Sequence, residues 1–373
     1  MLTVSENRAM MSNDRKRNFM LKTKDRTATP DPINEGIELQ MTRDDRTMKA
    51  IVQDVYGSAE VLRSAEIDRP AIGDDEVLVR VHAAGLDRGT WHLMAGLPYV
   101  IRLGFGFRGP KNPVPGLDVC GTVETVGEKV TRFQPGDEVF GIAKGSFAEY
   151  ASAREDKLAI KPADLSFGQA AAVPVSGLTA IQGLRDVGRV EPGQHVLIVG
   201  ASGGVGTYAV QLAKAFGADV TGVCSTAKVD MVRSIGADHV IDYTREDFAD
   251  GSQHYDLILD IGGNSPLSKL RAALTKAGTL VIVGGEEGGR WFGGINRQLR
   301  ALALSPFIAQ RLTSFLSKEN HADLERLAEL IEAGELTPTI DTTYPIDEAP
   351  EAMAHLEAGQ ARGKIVISVT DAS

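Results

Sequence analysis

Gln194-His195-Val196-Leu197-Ile198-Val199-Gly200-Ala201-Ser202-Gly203-Gly204-Val205-Gly206 decides the fold. The run up to Val199 is short and apolar, the form of a strand buried on both faces. It passes directly into a glycine-rich turn. A helix follows, with apolar spacing through Val210, Leu212, Ala213 and Phe216 and a stop at Gly217. A second strand, Asp219-Val220-Thr221-Gly222-Val223-Cys224, comes next. Strand, turn, helix and strand fall within a unit of roughly 30 residues, the context in which a glycine motif carries weight. A side chain at Gly203 would block a diphosphate from the backbone. Gly206 lets the helix pack tightly on the strand, and the helix N-terminus offers free N–H groups to phosphates. Position by position the motif is Ala-x-Gly-x-x-Gly, with Ala201 where the first glycine usually stands. The pattern predicts a dinucleotide site rather than a purely structural turn.

Downstream, Asp238–Tyr243, Tyr255–Asp260 and Gly278–Val283 read as further strands, and 266–276 reads as a helix between two of them. This alternation predicts an α/β, doubly wound parallel sheet, whose ligands bind outside the carboxyl ends of the strands. That rule places Cys224-Ser225-Thr226, the Asp260–Gly263 segment with Gly262, and Val283-Gly284-Gly285 around the cofactor. NAD sites usually carry an acid about 20 residues past the glycine motif. Here the chain reads Cys224-Ser225-Thr226-Ala227-Lys228. Two hydroxyls and an ammonium suit a 2′-phosphate, so the sequence favours NADP(H). The plainer reading leaves Lys228 as a solvated lysine at a helix start.

Upstream, short β-like runs divided by Gly and Pro occupy 48–52, 76–83, 121–127 and 135–141. They predict a compact, barrel-like β domain. The chain has 373 residues with 50 acidic against 40 basic, a net charge of -10, which argues against a nucleic-acid surface. No apolar run approaches the ~20 residues of a membrane span, so no membrane partner is expected. Cys120 and Cys224 are too few for a disulfide scaffold and suit a reducing, cytoplasmic setting. Residues 1–47 are polar and aperiodic and are expected to form a disordered N-terminal extension.

The stretch Gly193-Gln194-x-x-Leu197-x-x-x-Ala201-Ser202-Gly203-Gly204-x-Gly206, followed by Gln211 and Lys214, resembles the zinc-independent quinone oxidoreductase (zeta-crystallin-like) signature of the medium-chain dehydrogenase/reductase superfamily. Pro115–Gly121, Gly136–Gly141, Ser146–Tyr150 and Ser176–Ala180 also match, and the likeness runs from Met48 to about Val369. The resemblance implies a Rossmann NADP-binding domain over 173–319, inserted in a chaperonin-10-like (GroES-like) β-rich catalytic domain formed by 48–172 and 320–373. It also implies a homodimer through the edge of the Rossmann sheet, near Ile308–Leu316.

Zinc-dependent members of that superfamily use a Cys, a His and a second Cys or acid as ligands. At the corresponding places this chain has Asp87, Leu117 in Gly116-Leu117-Asp118, and Val175. Leucine cannot ligate zinc, so a metal-free site is expected. Asp118 is expected to be a buried carboxylate bonded inside its own turn. Without a Lewis acid, an acceptor that delocalises charge itself is the easiest hydride target. The resemblance therefore implies an NADPH-dependent reductase of quinones or conjugated enones. The alternatives are a zinc-independent alcohol or aldehyde dehydrogenase and a non-catalytic NADPH-binding interaction protein.

By resemblance, Asp87 and Thr179 flank the nicotinamide, and Ser225, Thr226, Lys228 and Tyr243 surround the adenosine phosphate. The turn itself supplies Ala201, Ser202, Gly203, Gly204, Val205 and Gly206. Gly262, Gly284, Gly285 and Lys364 complete the expected cofactor set. Segment 88–99 is expected to line the substrate cleft, with Trp91 and Tyr99 stacking on a planar acceptor and His92 or Tyr99 donating a proton. Packing is the plainer role for these three. Pro98–Pro115, with Phe105, Phe107, Arg102, Arg108 and Lys111, has the length of a lid.

Overall fold

The computed structural model describes residues 46–263, 265–285 and 289–370. The expected disordered extension lies outside them except for its last two residues, Arg46 and Thr47. The strands are β1 (Thr47–Val52), β2 (Arg63–Asp68), β3 (Glu76–Leu86), β4 (Asp118–Val126), β5 (Glu138–Ile142), β6 (Tyr150–Arg154) and β7 (Leu158–Ile160). They continue as β8 (His195–Val199), β9 (Asp219–Cys224), β10 (His239–Asp242), β11 (Tyr255–Asp260), β12 (Leu274–Ile282), β13 (Arg311–Ser314), β14 (Ile340–Pro345) and β15 (Lys364–Ser368).

β8 to β13 form a six-stranded sheet in the order β10-β9-β8-β11-β12-β13. Every pair in it is parallel. This is the doubly wound order, with β8 first and the chain reversing direction across the sheet between β8 and β11. The alternation of side chains along β8 shows why the run is apolar throughout. Val196 and Ile198 enter one core cluster, and Leu197 and Val199 enter another on the opposite face. The Gly204–Ala215 helix covers the first face through Tyr208, Ala209, Leu212 and Ala213.

The other large sheet has seven strands, β14-β15-β3-β4-β5-β7 with β6 paired to β3. The sheet draws on both ends of the chain, because β15 pairs antiparallel with β3. β1 and β2 form a separate hairpin, tied in by the Ile51 N–H to the Phe147 carbonyl at 2.9 Å. One core runs through both sheets. Ala83, Cys120, Phe140 and Val366 share it with Leu178, Val196, Tyr208, Leu324 and Leu327. The Tyr208 hydroxyl, buried within it, donates to the Ala172 carbonyl at 3.0 Å.

One element differs from the sequence reading. The helix expected over 266–276 stops at Ala273, and Leu274–Ile282 is one strand. Leu274 is buried and pairs with Tyr255, so the strand takes over Leu274, Thr275 and Lys276, three residues that periodicity alone assigns to the helix.

Candidate active site

The glycine turn sits where β8 ends. Gly200 has φ +90°, and a Cβ there would lie 2.9 Å from the Gly262 nitrogen. At Gly206 a Cβ would lie 2.1 Å from the Gly200 carbonyl oxygen, so helix and strand meet too closely for any side chain. Gly203 is different: its Cβ would meet only that same oxygen, at 3.7 Å. Protein packing does not require glycine at this position, and the space left open is the approach a diphosphate needs. Gly203 caps the helix with no side-chain acceptor, and a helix N-terminus of this kind presents N–H groups and a partial positive charge to an anion. Ala201 fits in place of the first glycine because β9 has Gly222 opposite it, where a Cβ would meet the Ala201 methyl at 3.0 Å.

A cleft of about 920 Å³ opens from this turn. It is lined by Gly200, Ser202, Ser225, Lys228, Tyr243 and Gly262 from the parallel sheet, and by Asp341, His355, Gly359 and Arg362 from the C-terminal segment. Two expected phosphate ligands have other commitments. The Thr226 hydroxyl donates to Asp242 at 2.6 Å, so a carboxylate does reach the end of β9, from the neighbouring strand β10. The Lys228 ammonium donates to the carbonyls of Ala361 (2.7 Å) and Gly359 (3.2 Å). Burial holds its pKa below the ordinary lysine value, with Asp341 opposing and Arg362 reinforcing. Arg362, a lining cation, was not in the sequence-derived set. Its only signal was its place two residues before the last strand.

The residues expected at the acceptor do not line this cleft. Asp87 caps the Arg88–Ala95 helix, accepting from the Thr90 N–H at 2.9 Å and the Thr90 hydroxyl at 3.3 Å. Trp91 packs against the cluster of Met94, Ile346 and Met353, which makes it part of that core rather than a free stacking plate. His92 Nδ1 donates to the Leu97 carbonyl at 2.8 Å. A carbonyl only accepts, so the Nδ1 proton is committed to that bond. Tyr99 lies with its ring edge-on to Trp291 and the Arg102 guanidinium 4.5 Å from its centroid. Thr179 donates to the Val175 carbonyl at 2.7 Å and contacts the Ser317 hydroxyl at 3.1 Å.

Two buried ion pairs hold the loops around the turn. Asp118 accepts from the Lys364 ammonium at 2.8 Å and from the Val175 N–H at 2.7 Å. This corrects the expectation that Asp118 bonds within its own turn. It also commits the Lys364 ammonium to a carboxylate, while its Cδ lies 3.1 Å from where a Gly204 Cβ would be. Burial pushes the Asp118 carboxyl up to about 6, with Lys364 pulling it down and Asp87 pushing it up. The second pair joins Asp260 to Arg297 at 2.6 Å. Arg297 also donates to the Ser265 carbonyl (2.9 Å) and the Gly284 carbonyl (3.0 Å), spanning the loops after β11 and β12. Sequence reasoning missed it, since an arginine within an apolar helix period gives no sign of its target.

Two family models match: the alcohol dehydrogenase GroES-like domain over residues 73–163 and the zinc-binding dehydrogenase over 235–367. The mitochondrial NAD(P)H oxidoreductase RTN4IP1 of Mus musculus is 34% identical over 377 residues, spanning 92% of this chain and 94% of that protein. The chain belongs to the medium-chain dehydrogenase/reductase superfamily, in its quinone oxidoreductase-like branch. The chloroplastic NADPH-dependent alkenal/one oxidoreductase of Arabidopsis thaliana is 32% identical over 340 residues, covering 86% of this chain and 80% of that one. Among solved structures, the Coxiella burnetii quinone oxidoreductase superposes with a TM-score of 0.78 at 30% identity, covering 87% and 100% of the two chains. The second of the two medium-chain dehydrogenase/reductase models is described by zinc binding. Among the described residues no group of three or more His, Cys, Asp or Glu could hold a metal ion.

Proposed function

We propose that the chain reduces a quinone or conjugated enone with hydride from NADPH, without a metal. The observation that carries this is the Gly203 position, left open in the turn whose Gly200 and Ser202 line a cleft shared with Lys228 and Arg362. Bound NADPH supplies the hydride from its nicotinamide. The turn N–H groups bind the diphosphate, and the Asp260–Arg297 pair fixes the Gly262 and Gly284 loops beside it. Lys228 and Arg362 favour the 2′-phosphate. The family's activities support the acceptor class, since relatives are named for quinone and for alkenal/one reduction.

Metal independence rests on chemistry at the positions concerned. Asp87 is engaged as a helix cap, Leu117 has no donor atom, and the cation beside Asp118 is the Lys364 ammonium. The charge that develops on a reduced quinone or enone is delocalised by the acceptor itself, so orientation and water exclusion by the protein suffice. With His92 tied to Leu97, Tyr99 is the better proton donor of the expected pair.

The chain pairs as a homodimer along β13, the outer strand of the parallel sheet, where exposed Phe307 and Leu316 flank the edge. No helix of the described residues is long and apolar enough to cross a membrane. Both cysteines are buried and free, which suits the cytoplasm; the net charge of -10 suits no nucleic acid.

Stopped-flow oxidation of NADPH by quinones, enones and aldehydes, with metal analysis of the same preparation, tests this reading. Turnover with the first two and little with aldehydes supports it. Stoichiometric zinc, or aldehydes as the best acceptors, would refute it.

A further inference from the structure

The chain carries 50 acidic residues in 373, yet neither 88–117 nor 289–318 contains one. These two stretches meet at Tyr99 and Trp291. The Tyr99 N–H donates to the Arg290 carbonyl at 2.7 Å and the Val100 N–H to the Trp291 carbonyl at 3.2 Å, while Tyr99 and Trp291 touch ring to ring. Around this junction large apolar side chains stand in solvent: Leu103 (78% exposed), Phe107 (77%), Trp291 (70%), Phe105 and Phe292. Exposed Arg108, Lys111 and Arg290 are interspersed among them. Asp54, near Gly109, is paired with Arg63 at 2.9 Å, and Glu286 and Glu287 lie outside the described residues.

Isolated exposed apolar residues are ordinary, but a cluster of five on two joined loops, with Arg108, Lys111 and Arg290 among them, marks a contact surface. The geometry points to this face as a docking surface for an anionic lipid bilayer. Shallow aromatic and leucine side chains supply the apolar contact, and the arginines and lysine face the lipid phosphates. A second copy is the poorer occupant. A two-fold contact would set Arg108 and Arg290 against arginines of the other copy, with no carboxylate among the described residues of either loop to pair them. A surface face of this kind needs no apolar run of spanning length, so the sequence pattern predicts no membrane partner from it.

The test is co-sedimentation of the full chain with vesicles of phosphatidylcholine plus phosphatidylglycerol, against phosphatidylcholine alone, at low and high salt. It needs no turnover, so its failure is distinct from failure of the functional reading. Wild type is expected to bind the anionic vesicles and to release as salt rises. Phe105→Ser with Phe107→Ser should weaken partitioning by at least about tenfold. Arg108→Glu should weaken it by on the order of tenfold or more, since each unit of charge near an anionic surface contributes a factor of about five. Unchanged thermal unfolding shows that these surface variants are folded. No binding by wild type at low salt, or binding indifferent to all three substitutions, overturns the proposal. So does a shift of these variants from dimer to monomer with no change in lipid binding, which would assign the face to a second copy.

Discussion

Replacing Lys364 with Met tests the Asp118–Lys364 pair most directly. Both side chains are essentially out of solvent, with Lys364 1% and Asp118 0% exposed. Methionine keeps most of the lysine stem and removes the charge, leaving the Asp118 carboxylate buried with only the Val175 N–H to satisfy it. Breaking a buried pair from one side costs about 3–5 kcal/mol, because the remaining charge is uncompensated. The double variant Asp118→Asn/Lys364→Met removes both charges while the asparagine oxygen still accepts from Val175, so most of that loss should return. Asp118 titrates in the folded protein near 6 against 3.8 for the free side chain. A carboxyl raised in this way binds its proton more tightly folded than unfolded. Its contribution to stability is full below about 3.8 and falls as pH rises through about 6. Removing the Lys364 ammonium removes the factor that lowers this value, so it rises further in the variant. The deficit of Lys364→Met should be largest at about pH 8 and shrink at about pH 5, where the buried carboxyl is neutral. Urea unfolding followed by circular dichroism at the two pH values measures it. Equal stability of variant and wild type at the higher pH, or a deficit that grows toward acid, would refute the reasoning.

Gly203→Ala and Gly206→Ala should separate ligand space from packing. The first should fold normally, since its Cβ clears protein atoms by 3.7 Å, yet lose coenzyme affinity by calorimetry; the second should unfold several degrees lower, since its Cβ would collide with a carbonyl at 2.1 Å. Lys228→Ala and Arg362→Ala should each weaken NADPH about tenfold more than NADH in fluorescence titrations, and equal losses for both coenzymes would leave Lys228 as a clamp on the Gly359–Ala361 carbonyls. Tyr99→Phe should lower kcat with an enone by about 10²-fold or more, while His92→Asn, whose amide still donates to Leu97, should keep turnover; unchanged kcat in Tyr99→Phe would return that ring to packing.

What was legible in the sequence follows from how local each signal is. The turn at 200–206 could be read because its strand, its glycines and its helix are contiguous, and backbone approach to a phosphate depends on those few residues alone. β8 was equally plain, since burial on both faces demands an apolar run, and β9 and β11, which carry polar residues, were placed by the alternation of strand and helix around them. The side chains around the turn were harder because their partners come from distant segments. Lys364 reads as a cation opening a strand, and only the pairing of β15 with β3 brings it to Asp118, 246 residues earlier. Arg297 reads as a surface arginine until the Ile295–Leu304 helix is laid across the loops after β11 and β12. Thr226 reads as a free hydroxyl until β10 brings Asp242 alongside β9. In each case the unsatisfied group was visible in the sequence, but its partner was set by strand order. Of the proposed hydride-transfer site, the cradle therefore belongs to local sequence, whereas the charges that hold its loops in place belong to topology. A relative that keeps the glycines while changing strand register or the last strand would retain coenzyme binding and lose the alignment that Asp118, Lys364 and Arg297 impose.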